Sequence, residues 1–481
     1  MNCTEATTSC VVLSSENHIR NEDAAMEDDF FDNQLSDVPK ANESVYEMTE
    51  PNQPIELWKG LARITEDIGQ HDQEVTILFE WLPSPNLTFR FSYEPNPSQL
   101  ASVFNGAHEI TLRIQSDPKL EFSGFILTAP WQDGIQSVHG YIQELPGLWS
   151  SATNREVICH IPNLIDFIGE PVRKSGHFRR GRYSCEIGDW ALIIDPIHAN
   201  LKESRPKNLG DFWVQHVCLI QQKNGRAFNS QQLEPLRAAL FYGLAFVSGR
   251  WCGPVLWVGR DNAESKPTWL DWRATRTSPN RNVRTWWTKQ NPNGLQCLEL
   301  LHDRLQEDTW KHALPRAISW YIESLKPGSL TEASLVTTQL AFECLADAML
   351  VDSLRLVSAR RIDHFKLEDK LRLMINSAMG PGEVPDALAN LQRVAKARNW
   401  DTAECLAQLR NWEVHSTKNN RRKKEEAGIN AEVLHEAMQL AIHSLQLVLL
   451  KVIGYEGKYL NMLIAETTSD IVPVPWASNE K

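Results

Sequence analysis

The chain has 481 residues, 42% of them hydrophobic and 9% aromatic, with a formal net charge of -12 at pH 7. That length calls for more than one domain, and that apolar content excludes wholesale disorder. The charge is lopsided: residues 1–50 hold twelve Asp/Glu against Arg20 and Lys40, so the rest carries only -2, which excludes a globally basic nucleic-acid binder but allows local basic patches.

In chain order, residues 1–54 are acidic and aperiodic and are expected to form a disordered tail. They show neither the basic start nor the apolar core of a secretory signal. From residue 55 the pattern has period two. Val75, Ile77, Phe79 and Trp81 alternate with polar or smaller neighbours, as do Leu87, Phe89 and Phe91, then Ile110, Leu112 and Ile114. With further strands expected at 121–127, 138–145 and 190–194, residues 55–208 are assigned to an antiparallel β-rich domain.

Residues 209–326 read as mixed α/β, with strands at 212–220 and 255–258 and a helix over 233–246 ending near Gly249. The apolar stretch 238–259 is broken by Gly249-Arg250 and Gly253-Pro254, so no membrane span is expected there. Six tryptophans (Trp251, Trp257, Trp269, Trp272, Trp286 and Trp287) interleave with seven basic residues between 251 and 289. Such a segment either stacks on bases and grips phosphates, or forms a core with a cationic rim.

Beyond Lys326-Pro327-Gly328 the period becomes helical. Ser329 with Glu332, and Asp401 with Glu404, have capping-box spacing. Helices are expected at 329–349, 367–378, 385–399, 401–410 and 431–452, an all-α bundle over 327–465 followed by a tail at 466–481. The fold class is therefore multidomain α+β, a β-rich N-terminal half followed by a C-terminal helical bundle.

The chemistry-bearing pattern is Arg410-Asn411-x-x-x-His415 at the end of the fourth of these helices, just before Lys418, Arg421, Arg422, Lys423 and Lys424. Histidine exchanges protons near neutral pH, arginine offers a planar fork to phosphate oxygens, and an amide orients either. RNA brings its own nucleophile, the 2′-hydroxyl. The basic run suits the backbone of an RNA substrate without sequence preference. The bland alternative is a surface ion pair and a histidine satisfying helix carbonyls. Arg155 and His160 repeat the spacing without the asparagine, within the β-rich half. Nine dispersed cysteines with no C-x-x-C pair point to buried thiols in a reducing compartment, with no metal or cofactor called for. A cytoplasmic chain is expected.

The helical segment with Arg410-Asn411 and His415 resembles the HEPN superfamily of ribonucleases and toxins, whose motif is R-N-x-x-x-H. The layout, a β-rich front and a C-terminal bundle, is similar to Apea-like HEPN proteins of anti-phage defence. The resemblance implies metal-independent RNA cleavage at a cleft shared by two copies, hence a homodimer through the C-terminal bundle. It makes His415 the general base or acid, Arg410 the phosphate clamp and Asn411 the orienting amide. Glu343 or Asp347 would be an accessory polar residue, while His435 and His443 are read as structural. Apolar outer faces of the fourth and fifth helices, with Trp412, would supply the interface. The N-terminal half would sense a phage-derived or cellular trigger, so that the chain acts as an abortive-infection effector. The competing reading is a non-catalytic RNA-binding or scaffold protein on the same bundle.

Overall fold

A computed structural model describes residues 37–66, 69–93, 109–115, 121–132, 135–144, 153–174, 177–197, 208–326, 328–415 and 417–477. Seven strands make the first sheet: β1 (Ile55–Glu66), β2 (Gly69–Glu80), β3 (Asn86–Tyr93), β4 (Glu109–Ile114), β5 (Glu121–Thr128), β6 (Trp131–Gln132) and β7 (Ile135–Glu144). All pairings are antiparallel, and β3 bonds to β7 as well as to β2, so the order β3-β2-β1-β4-β5-β7 closes into a barrel that leaves β3 and β7 no free edge. The alternation read from the sequence is the barrel's pleat: Val75, Ile77, Phe79, Phe89, Phe91, Ile110, Leu112 and Phe122 point into its core. Gly140 on β7 has no side chain because a Cβ there would run into the Phe89 ring and the Phe125 carbonyl.

A second antiparallel sheet holds β8 (Glu156–Pro162), β9 (Glu170–Lys174), β10 (His177–Ile187), β11 (Trp190–Pro196), β12 (Val214–Gln222), β13 (Val255–Arg260) and β14 (Trp269–Asp271), in the order β14-β13-β8-β12-β11-β10-β9. Strand β12 sits between β8 and β11, so the sheet crosses the boundary drawn at residue 208. This sheet is apolar on both faces. Ile158, Val217, Val255 and Val258 join the barrel's core, whereas Val157, Cys159, Ile161, Cys218, Ile220 and Trp257 join a helical core on the other side. Period two thus divides one strand between two cores.

The helices are α1 (Glu234–Ser248), α2 (Cys297–Gln306), α3 (Ala313–Ser324), α4 (Thr331–Asp347), α5 (Leu367–Met379), α6 (Ala389–Arg398), α7 (Thr402–Val414), α8 (Lys418–Glu426) and α9 (Ala431–Ile453). Helix α1 ends on Gly249, whose φ of 63° is the left-handed cap glycine adopts freely. One continuous apolar cluster runs from β8 through α1–α7 to α9, so the bundle shares its core with the preceding residues instead of beginning afresh at 327. A ribbon of β15 (Lys458–Leu460) and β16 (Ile471–Pro473) closes the chain.

Several expectations need correction. Residues 1–36 of the acidic tail lie outside the described residues, but residues 37–54 form a strap along the second sheet. The Asn42 main-chain N–H and side-chain Nδ2 donate to Asp195 Oδ2 at 2.8 and 2.9 Å, the Tyr46 hydroxyl accepts from Trp272 Nε1 at 3.1 Å, and Asn52 Nδ2 donates to Asp211 Oδ1 at 2.9 Å. Asp195 is itself fully buried and ion-paired with Arg182 at 2.7 Å, so the strap completes the shell around a buried charge pair. Within the expected tail at 466–481, residues 471–477 are packed: Ile471–Pro473 pairs with Lys458–Leu460, Val474 is buried and Trp476 Nε1 donates to the Tyr455 carbonyl at 2.7 Å. Helix α4 starts after Leu330 with no side-chain cap, so Ser329 and Glu332 make no capping box. Helix α6 begins at Ala389, not near Pro385. Two helical spans, Thr331–Ser353 and Ala431–Ile453, are long and apolar enough to cross a membrane; 61% and 78% of their most apolar windows are buried inside the protein.

Candidate functional site

Helix α7 carries the motif, and its start is firmly set. Asp401 accepts the Glu404 N–H at 2.7 Å, capping the helix, and its other oxygen pairs with Arg372 of α5. The carboxyl is held below the usual range: burial pushes it up, but the Arg372 hydrogen bond and the Glu404 N–H outweigh that. Cys405, Leu406, Leu409 and Trp412 are buried along the helix and fix its rotation.

The far end presents the three motif residues. Successive positions turn by about 100°, so Asn411 and His415, four apart, share a face, with Arg410 about 100° behind Asn411. Arg410 Nη1 donates to Asn411 Oδ1 at 3.1 Å, so the amide tethers the guanidinium towards the face of His415. Arg410 Nε is buried and finds no hydrogen-bond partner among the described residues. His415 caps the helix at φ -105° and ψ 78°. Its N–H donates to the Asn411 carbonyl at 3.0 Å, and its carbonyl accepts from the Thr417 N–H and Asn420 Nδ2, both at 2.7 Å. The backbone is pinned while the residue is exposed. Arg410 makes no ion pair among the described residues, which sets aside the bland surface-pair reading for that residue.

The basic run forms α8, a helix with no buried residue, capped by Thr417, which accepts the Asn420 N–H at 3.2 Å. Lys424 is committed to Glu413 of α7 at 2.5 Å and Arg422 pairs with Glu426 at 3.4 Å. Lys418, Arg421 and Lys423 make no ion pair among the described residues and are exposed. Lys424 therefore belongs to the joint between α7 and α8 more than to a free cationic surface.

Other expected residues lie elsewhere. Glu343 and Asp347 are exposed on α4; Glu343 accepts from Gln339 Nε2 at 2.5 Å, and no hydrogen bond or ion pair joins either to the motif. Trp412 is buried, its ring 5.4 Å from that of Trp400, and cannot supply a partner contact. Apart from Val414, exposed at the end of α7, the large apolar residues of α7 and α9 are spent within the chain: sixteen residues of α9 are buried, and the outer positions Glu432, His435 and Glu436 are polar. The fold thus withdraws the apolar interface expected there. His443 is buried, and burial pushes it down to about 4. In the Trp/Arg segment all six tryptophans are buried, and three of its arginines are ion-paired, Arg260 with Glu156 at 2.7 Å, Arg273 with Asp271 at 2.5 Å and Arg276 with Glu323 at 2.7 Å, so this segment is core with a cationic rim. His160 of the decoy spacing is fully buried, its Nδ1 2.8 Å from the Leu256 carbonyl. No group of three or more metal-ligating side chains occurs among the described residues.

One arrangement has no counterpart in the sequence reading. The Arg398 guanidinium, at the end of α6, lies 5.4 Å from the Trp400 ring and 5.3 Å from the Trp412 ring. Only the tertiary fold brings Trp412 to residues 398–400, so no sequence spacing announces it.

Comparison with known proteins matches residues 150–283 to the family described as YopA central domain and residues 307–472 to that described as YopA C-terminal domain. The first covers the second sheet across residue 208; the second covers α3 through β15. The chain is also similar to the SPbeta prophage-derived uncharacterized protein YopA of Bacillus subtilis (strain 168), at 25% identity over 445 residues, 89% of this chain and 96% of that protein. No solved structure matches.

Proposed function

We propose that the chain is a metal-independent RNA endonuclease of HEPN type whose site is the exposed end of α7. The observation that supports this reading is the coupling of Arg410 to Asn411, at 3.1 Å, one turn from an exposed histidine with no side-chain partner among the described residues. In this reading the RNA 2′-hydroxyl attacks the adjacent phosphorus. Its proton passes to His415, the P–O5′ bond breaks, and the leaving oxygen takes a proton from the imidazolium of a second copy. The products are a 2′,3′-cyclic phosphate and a 5′-hydroxyl. Arg410, through the terminal nitrogen not bonded to Asn411, holds a non-bridging oxygen as charge builds. The exposed bases Lys418, Arg421 and Lys423 draw the strand in. Two copies would meet at the polar end of α7, since the apolar faces are occupied. The barrel and second sheet would serve as sensor or restraint in a cytoplasmic defence effector. The prophage origin of the similar Bacillus protein agrees with a setting of phage conflict.

The test is direct. Purified full-length protein incubated with total RNA in EDTA should cleave it, and His415→Ala should lose at least about a hundredfold in rate, the usual worth of a general acid–base. Intact RNA, or equal cleavage by the variant, sinks the reading. The second reading, a non-catalytic RNA-binding or scaffold protein, draws on the wholly exposed α8. It expects salt-sensitive RNA binding without cleavage, indifferent to His415.

A further inference from the structure

The strongest unassigned feature is the cation held between Trp400 and Trp412. An arginine side chain ordinarily finds a carboxylate or a carbonyl; this one is half-buried, lies within 5.4 Å of two indole rings, and makes no hydrogen bond or ion pair among the described residues. The two rings are 5.4 Å apart and tilted by 59°, and the N–H fork beside them is unspent. Its helix has Lys396 in the same final turn, also exposed and unpaired, and the turn ends on Asn399 at φ 54°. The indole of Trp412 belongs to the residue next to Asn411 and three before His415, sharing a helix face with the latter. The guanidinium is therefore fastened to the same helix end as the motif. The acidic residue nearest in sequence on that helix end, Glu413, is already taken by Lys424.

We propose that Arg398 is an RNA-phosphate clamp, seated beside the Trp400–Trp412 pair, that binds the strand next to the phosphodiester addressed by Arg410 and His415. The proposal rests on the ribonuclease reading for the identity of the strand. The chemistry fits a phosphodiester: a pre-oriented fork matches two non-bridging oxygens, and the indole faces stabilise the charge without neutralising it. A surface carboxylate partner would have blocked this role. Arg398 is not a catalytic residue; it positions the strand, and its effect should appear in binding and KM more than in kcat.

The experiment uses full-length protein and a fluorescein-labelled 12-nucleotide single-stranded RNA, with anisotropy read at several salt concentrations in the His415→Ala background, which removes cleavage. Arg398→Gln keeps the stem on the indoles and deletes the charge; Arg398→Lys keeps the charge and deletes the fork. Near-UV circular dichroism of the tryptophans checks that the pair survives. Arg398→Gln should weaken binding about tenfold and lower the slope of log K against log salt by about 0.7, one single-strand phosphate contact, with Arg398→Lys between. In the His415-intact chain the same change should raise KM with kcat little altered. If Arg398→Gln binds like its parent, the clamp is refuted while the ribonuclease reading stands. If Arg398→Gln loses binding but His415→Ala cleaves like wild type, the clamp stands and the motif assignment fails. Absence of RNA binding by every form overturns both.

Discussion

Protonating His160 or His443 works against the folded chain. Burial pushes both down to about 4, overcoming for His160 the opposing pull of the Leu256 and Val255 carbonyls. The His160 ring is already fully used: Nδ1 faces the Leu256 carbonyl at 2.8 Å and Nε2 accepts the Tyr46 N–H at 3.2 Å, so a second proton would set donor against donor and loosen the strap. Free histidine titrates near 6.5. Between about 6.5 and 4 the unfolded chain therefore binds protons that the folded chain refuses. Stability from these groups is complete above that window and falls with pH through it, by roughly 3 kcal/mol per histidine at its acid end. Urea midpoints at pH 7 and pH 5 should show the loss, and His443→Leu should flatten the slope. A slope unchanged by that substitution would assign the acid sensitivity elsewhere.

At the scale of single elements, the joint between α5, α7 and α8 is made of a few polar contacts. Asp401→Ala removes the cap of α7 and its bond to Arg372 and should cost about 2 kcal/mol in urea unfolding, whereas Asp401→Asn keeps the cap and should cost less than half of that. Equal losses would mean the ion pair, not the cap, holds the helix. The two Ser/Asp-x-x-Glu spacings show what sequence can and cannot deliver. Asp401 caps its helix, but Ser329 instead closes a turn through its N–H to the Lys326 carbonyl at 3.2 Å, and the helix opens two residues later. Both patterns were equally legible; only the preceding chain path separates them. Strand β8 escaped detection because every one of its residues is buried, leaving no alternation to read. Helices α2 and α3 fall inside the segment read as mixed α/β, and Pro315 lies within the first turn of α3. The placement of the motif at a helix end was readable from Asp401 and the period; the Arg410–Asn411 bond and the Lys424–Glu413 tie were not, since both depend on rotamers set by packing.

The whole molecule is organised around a shared middle sheet. Its helical side is one core: Gln446 Nε2 of α9 donates to the Tyr321 hydroxyl of α3 at 2.9 Å, and the Leu460 N–H of β15 donates to the Trp286 carbonyl at 2.7 Å. A fragment of residues 327–481 would leave those partners and the apolar surface around Phe246 and Tyr321 unmatched. It is expected to aggregate or to bind hydrophobic dyes without a cooperative melt, while the full chain melts cooperatively. A sharp thermal transition in the isolated fragment would show that the bundle is self-sufficient. The change of hydrophobic period foretold a β-rich front and a helical back, but it could not foretell that their cores merge, because a sheet apolar on both faces looks the same in sequence whichever neighbour covers it.

The strap gives the barrel an unusual mechanical position. The polypeptide reaches β1 from a stretch fastened at Asp195 and Asp211, and after β7 it re-enters the same layer as β8. The barrel is thus moored fore and aft to one raft, where a module on a single tether would simply swivel. Whatever grips it applies a couple to that raft, and the far side of the raft is the floor on which α1 and its neighbours stand.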